Sequence, residues 1–171
     1  MDLTELIHLL RGLGSDPSGE ADGLSALDHG LQCAWELAQR HPADVELQVA
    51  GLVHDVGHTA GGDEVHGRLG AEMVRPALGE RVAALVEAHV PAKRYLVAAD
   101  PAYRGQLSSV STGTLALQGG PLNAEEMVAF EASTHFDAAV ELRRADEAAK
   151  MPGRSVPGLA RWLPTLGSVA P

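Results

Sequence analysis

Seven residues spread over more than half of the chain, His29, His54, Asp55, His58, His66, His89 and Asp146, have the types and spacings to do chemistry. Imidazole and carboxylate groups together suit borderline metals such as iron, manganese, cobalt or zinc, and this set exceeds what one tetrahedral ion needs. A two-metal site is the expectation. A carboxylate has two oxygens and can bridge two ions, so Asp55 can serve both positions if His66 and His89 converge on it. A lone His-Asp pair is a weak signal. Here it is accompanied by an upstream histidine and a late aspartate, and several helices can aim such groups at one interior point.

The elements that must position these residues read as helices. Alanine, leucine and glutamate dominate and β-branched runs are few, so the expected fold class is all-α, a single helical bundle with a dinuclear metal site in its core. A first helix is expected from about Leu3 to Leu10, ended by Gly12-Leu13-Gly14. A polar entrance loop covers 15–23. A second helix from about Leu24 to Arg40 carries His29 and stops at His41-Pro42. A third from Ala43 to about Asp55 ends with His54-Asp55 in its last turn; if the helical path continues, His58 points the same way as His54. Further helices hold His66 up to Pro76 and Glu80 to Val90 up to Pro91. Residues 100–121 read as an irregular connection, 124–150 as one long helix, and 151–171 as a Pro-bearing tail packed weakly on the domain. The division expected is 1–23, 24–150 and 151–171, with the middle segment forming the domain.

Composition narrows the partners. With 171 residues, 45% hydrophobic, the chain is long enough for one domain with a proper core. A net charge of −10 opposes binding to nucleic acid, whose partners present a basic face, while a small anion in a locally basic pocket remains compatible. No apolar run approaches the roughly 20 residues of a membrane span. The single cysteine, Cys33, sits in an apolar-patterned run and reads as a core residue in a reduced, cytoplasmic setting.

The order H, HD, D resembles the HD-domain superfamily of metal-dependent helical proteins. That resemblance assigns His29, His54, Asp55 and Asp146 to one metal. From about Leu24 to Lys150 the chain looks like one branch of it, the mixed-valent di-iron oxygenases that degrade phosphonates. The residues that carry this likeness are Leu27-Asp28-His29-Gly30-Leu31-Gln32-Cys33-Ala34, Leu52-Val53-His54-Asp55-Val56-Gly57-His58, His66-Gly67-Arg68-Leu69-Gly70-Ala71, His89-Val90-Pro91-Ala92-Lys93-Arg94-Tyr95-Leu96, Thr114-Leu115-Ala116-Leu117-Gln118-Gly119-Gly120-Pro121 and Leu142-Arg143-Arg144-Ala145-Asp146. It implies two iron ions, Fe(II)/Fe(III), with Asp55, His66 and His89 holding the second, and O2 as co-substrate. The substrate implied is a small, anionic 1-hydroxyphosphonate, with phosphate and a carboxylate as products. His58, Lys93 and Ser111 match positions that contact the phosphonate, and Arg143, one turn before Asp146, joins them. Asp55 and His58 are the residues expected nearest the reacting atoms. In relatives a tyrosine and an acid precede the first histidine; here that stretch has no aromatic residue, and Glu20 or Asp22 is left to meet an amine. The alternative expectation is an HD-type phosphohydrolase acting on a phosphate ester or nucleotide, since the same four core residues serve such enzymes.

Overall fold

The computed structural model describes residues 1–14 and 24–171, so the entrance loop with Glu20 and Asp22 lies outside the described residues. The described residues form helices and turns with no strand: α1 (Leu3–Leu13), α2 (Ala26–Arg40), α3 (Val45–Val53), a 3-10 turn (Val56–Thr59), α4 (His66–Ala99), α5 (Pro101–Gln106), α6 (Ser109–Leu117), α7 (Ala124–Glu131), α8 (Phe136–Ala148), a second 3-10 turn (Leu159–Arg161) and α9 (Leu163–Val169). The all-α expectation holds. No described helix is long and apolar enough to cross a membrane.

Helices α2, α3, α4 and α8 pack on one another and form the frame. Their shared interior is apolar, with Cys33, Leu37, Val49, Val53, Val74, Leu85, Val86 and Leu142 fully buried. Each such leucine or valine contributes roughly 1.5–3 kcal/mol by leaving water. The Cys33 thiol belongs to this core; burial pushes its pKa up to about 12, so it stays protonated and inert. Every histidine and carboxylate of the candidate centre projects from this frame or from the turn between α3 and α4.

Two glycines decide how that turn and α4 meet. Gly79, at φ +80°, reverses the chain inside α4, so that segments 66–78 and 80–99 run back along each other. Gly57 lets the 3-10 turn touch the start of α4: a methyl added there would lie 1.9 Å from the His66 carbonyl oxygen and 2.6 Å from the Gly70 nitrogen. Both neighbours are backbone and cannot give way. Gly57→Ala is therefore expected to destabilise the fold by about 3 kcal/mol or more. Gly105→Ala, with no atom within 4 Å of the added methyl, should be neutral to slightly stabilising by less than about 1 kcal/mol. Thermal unfolding of both variants checks the contrast.

Several boundaries differ from the sequence expectation, each for a physical reason. Helix α1 runs through Gly12 to Leu13, and α3 starts at Val45 on an Asp44 cap and stops at Val53. The α4 path passes through Pro76 and Pro91, because burial of Val74, Ala77, Leu78, Ala92 and Leu96 outweighs one lost helical bond per proline. The expected irregular stretch 100–121 contains α5 and α6, started by Asp100 and Ser108, whose side chains accept from backbone N–H groups of the first turns. The stretch 124–150 divides into α7 and α8 around Ser133-Thr134-His135. The tail is anchored by buried Trp162 and Leu166.

Candidate metal centre and anion pocket

His29 projects from the first turns of α2, His54 caps the end of α3, and Asp55 follows in the sparsely populated bridge region at φ −100°, ψ 4°. His66 and His89 come from the two antiparallel segments of α4, and Asp146 from α8. Around the first position, His29 Nε2 lies 3.2 Å from His54 Nε2 and 3.1 Å from Asp146 Oδ1. Asp55 Oδ2 stands 3.1 Å from His54 Nε2 and 3.6 Å from His29 Nε2. The other oxygen, Asp55 Oδ1, faces a second group, 3.6 Å from His66 Nε2 and 3.5 Å from His89 Nε2, which are themselves 2.9 Å apart. Metal bonds of about 2.1 Å at ordinary angles set neighbouring donors roughly 3.0–3.4 Å apart. Both groups are close to that spacing.

The hydrogen-bond partners of the rings fix what these nitrogens offer. Nδ1 of His54, His66 and His89 donates to the carbonyl oxygens of Gly51, Asp63 and Val86 at 2.9, 2.8 and 2.6 Å. Each donation places the ring proton on Nδ1 and leaves a lone pair on Nε2, as a metal ligand requires. His66 and His89 thus aim two lone pairs at each other beside a carboxylate oxygen. Burial pushes the His66 pKa down, and burial with the neighbouring His54 and His66 pushes His89 well down, so a ring proton does not fill the gap. A cation held there would satisfy both lone pairs and the carboxylate oxygen. In the first group burial also opposes charge on His54, but Asp55 and Asp146 outweigh it and lift its pKa well above the usual range. A proton there balances two carboxylates that are held well below their ordinary pKa, against burial, by His54 for Asp55 and by Arg143 and Lys150 for Asp146. An ion entering the group takes that proton's place.

His58 is half exposed and stacks on the His66 ring at 4.0 Å between centroids, with its Nε2 3.9 Å from Asp55 Oδ1. Asp55, His58 and His66 therefore also hold donor atoms within 4.8 Å of one another. His89 is the closer partner of His66, and His58 caps the outer side.

A cavity of about 50 Å³ opens against the second group, and Asp55, His58, His66, His89, Lys93, Ser111, Arg143 and Asp146 all line it. The structure thus brings the expected metal residues and the expected anion residues to one place. Lys93 is buried, and its Nζ donates to Thr114 Oγ1 at 2.6 Å and Gln118 Oε1 at 2.8 Å. Burial and the Arg143 charge pull its pKa down to about 8. Arg143 is buried and bound to Tyr103, Asp146, Ser111 and Glu147; burial opposes its charge, and Asp146, Tyr103 and Glu147 outweigh that and raise its pKa further. Thr114, Glu147 and Lys150 escaped the sequence reading. The signal for the last two was helical spacing, with Glu147 four residues after Arg143 and Lys150 four after Asp146.

Comparison with known proteins agrees with this geometry. The HD domain family model matches residues 26–133. The hydroxymethylphosphonate dioxygenase of Gimesia maris is 34% identical over 171 residues, covering 94% of this chain and 84% of the relative. The [1-hydroxy-2-(trimethylamino)ethyl]phosphonate dioxygenase (glycine-betaine-forming) of Leisingera caerulea is 33% identical over 147 residues, covering 80% and 74%. An uncharacterised protein of Acanthamoeba polyphaga mimivirus is 30% identical, covering 84% and 69%. Matched by the family model over residues 26–133 and by such relatives along most of its length, and with its own histidines and aspartates gathered at one point, the chain belongs to the HD-domain family.

Proposed function

We propose that the protein is a di-iron oxygenase that uses O2 to cleave the carbon–phosphorus bond of a small 1-hydroxyphosphonate, releasing phosphate and a carboxylate. The observation that carries this reading is the division of the two Asp55 oxygens between two histidine groups at the edge of a cavity lined by Lys93 and Arg143. His29, His54, Asp55 and Asp146 would hold the first ion, and Asp55, His66 and His89 the second. Iron in two oxidation states supplies the redox capacity for O2, which zinc and magnesium lack. The stoichiometry closes without an external reductant: a hydroxyphosphonate dianion and O2 give a carboxylate, hydrogen phosphate and one proton. Relatives named for hydroxyphosphonates support the substrate class.

The remaining side chains bind and orient. Thr114 and Gln118 hold the Lys93 ammonium toward the cavity, where it meets the phosphonate. Arg143 adds a second cation from the α8 side, fixed from behind by Tyr103 and Glu147. Ser111 lines the same wall, and Val90 and Val110 limit water in the pocket. His58 stands over the outer side of the cavity, nearest its mouth.

The test is phosphate release under air with ferrous iron and ascorbate from hydroxymethylphosphonate and 1-hydroxy-2-aminoethylphosphonate. Release that needs O2 is expected; cleavage of phosphate esters without O2, with no attack on either phosphonate, overturns the reading in favour of a hydrolase. A pH dependence follows from Lys93. Below about pH 8 it carries its charge; above, the neutral amine loses its pull on the dianion, so kcat/KM should fall as pH rises through that region of the free enzyme. Lys93→Ala should remove this limb and raise KM by roughly tenfold or more while metal content stays the same. Steady-state kinetics at several pH values check both.

A further inference from the structure

Helix α6 forms one wall of the pocket, yet little apolar surface holds it there. Its run Ser109-Val110-Ser111-Thr112-Gly113-Thr114 is a weak helix former, Ser111 is the one buried residue of the helix, and Leu117 is 62% exposed. The apolar footing is Leu115, with Leu107 just before the helix, both half-buried against Leu96, Val97 and Tyr103. A segment with so few buried contacts opens locally at low cost unless polar ties hold it. Those ties decide whether Thr114 and Gln118 stand where they orient Lys93.

At the N-terminal end of α6 the ties converge on one carboxylate from α8. Glu147 Oε1 accepts from the Ser108 backbone N–H at 2.6 Å, and Oε2 accepts from the Ser111 hydroxyl at 2.8 Å. Ser108 is itself the cap of α6, its hydroxyl oxygen accepting from Ser111 N at 3.1 Å. Arg143 Nη2 closes the triangle, donating both to Glu147 Oε2 and to Ser111 Oγ, the latter at 3.0 Å. A glutamate four residues after an arginine is ordinarily a solvated pair on one helix face. This one has a side chain only 11% exposed, and each of its oxygens meets donors of a different helix. Only a carboxylate suits that place, because a glutamine of the same shape accepts at one end and turns N–H groups toward donors at the other.

We propose that Glu147 is a positioning residue: it docks the N-terminal end of α6 on α8, and through Thr114 and Gln118 it keeps the Lys93 ammonium aimed into the cavity. The docking stands on the hydrogen bonds alone; its effect on turnover rests on the hydroxyphosphonate reading above. The test is amide hydrogen exchange of the metal-loaded protein over 109–117, with α2 and α3 as internal controls. Metal content and kinetics on hydroxymethylphosphonate are measured on the same samples. Glu147→Gln is expected to speed exchange in α6 about tenfold or more, leaving α2, α3 and the metal content as in the wild type. KM should rise about fivefold or more while kcat stays within about threefold. Ser111→Ala, which removes one tie and keeps the carboxylate, should speed the same amides about threefold. Unchanged α6 exchange in either variant overturns the docking role. So does equal acceleration of all helices in Glu147→Gln, which would make the glutamate a general support of the fold. A raised KM with α6 exchange unchanged overturns it too, since the loss would then run through Arg143. If Glu147→Gln yields no folded protein, Ser111→Ala decides alone. A wild-type protein that ignores both hydroxyphosphonates overturns the substrate reading, and exchange still decides the docking.

Discussion

Asp55→Ala should leave a folded chain that retains neither ion after desalting. Among the described residues its carboxylate is the one placed against both histidine sets, with Oδ2 3.1 Å from His54 Nε2 and Oδ1 3.5 Å from His89 Nε2. Without it the second position keeps only two neutral imidazoles. The first loses one of its two negative charges and one of four ligands, while His54 loses the nearer carboxylate that lifts its pKa. Metal analysis should fall from two ions per chain to none, and phosphate release by a factor of about 10³ or more. Retention of one tightly held ion would show that the carboxylate is not shared.

His89→Ala separates the two positions. The first group is untouched, because His29, His54, Asp55 Oδ2 and Asp146 Oδ1 meet without it. The second is left with His66 and one carboxylate oxygen. One ion per chain should remain, and O2-dependent turnover should fall by a factor of about 10³ or more, because a redox pair has become a single centre. Metal content and oxygen uptake, measured together, decide it; full uptake with one ion would refute the division of ligands.

The centre was legible in the sequence because histidines are few and their spacing is peculiar. His54-Asp55 stands at the end of an apolar run, His29 and Asp146 lie on amphipathic helices, and His66 and His89 each start or interrupt a small-residue segment. What the one-dimensional pattern hid was set by packing. Residues 100–121 have the Ser, Thr and Gly content of a loop, yet Asp100-Pro101 is a cap followed by a first-turn proline, and Ser108 caps α6. Missing α6 obscured why Thr114 and Gln118 stand one turn apart, both reaching Lys93. Pro76 and Pro91 looked like terminators, but local propensity yields when both sides of a proline are buried. Glu147 and Lys150 were passed over because ionic residues on a late helix are usually solvated; only tertiary contact turns them into the back and side of a pocket.

The reversal at Gly79 has a bearing on how the chain holds together. His66 and His89 are 23 residues apart, a separation of roughly 35 Å along an unbroken helix, yet their Nε2 atoms nearly touch. An ion clasped by both is a cross-link over that loop, and a tie of this span removes freedom from the unfolded chain worth roughly 3 kcal/mol. Metal supply and the integrity of this hairpin would thereby be coupled: an ion held by both imidazoles would also keep the two walls of the pocket from drifting apart.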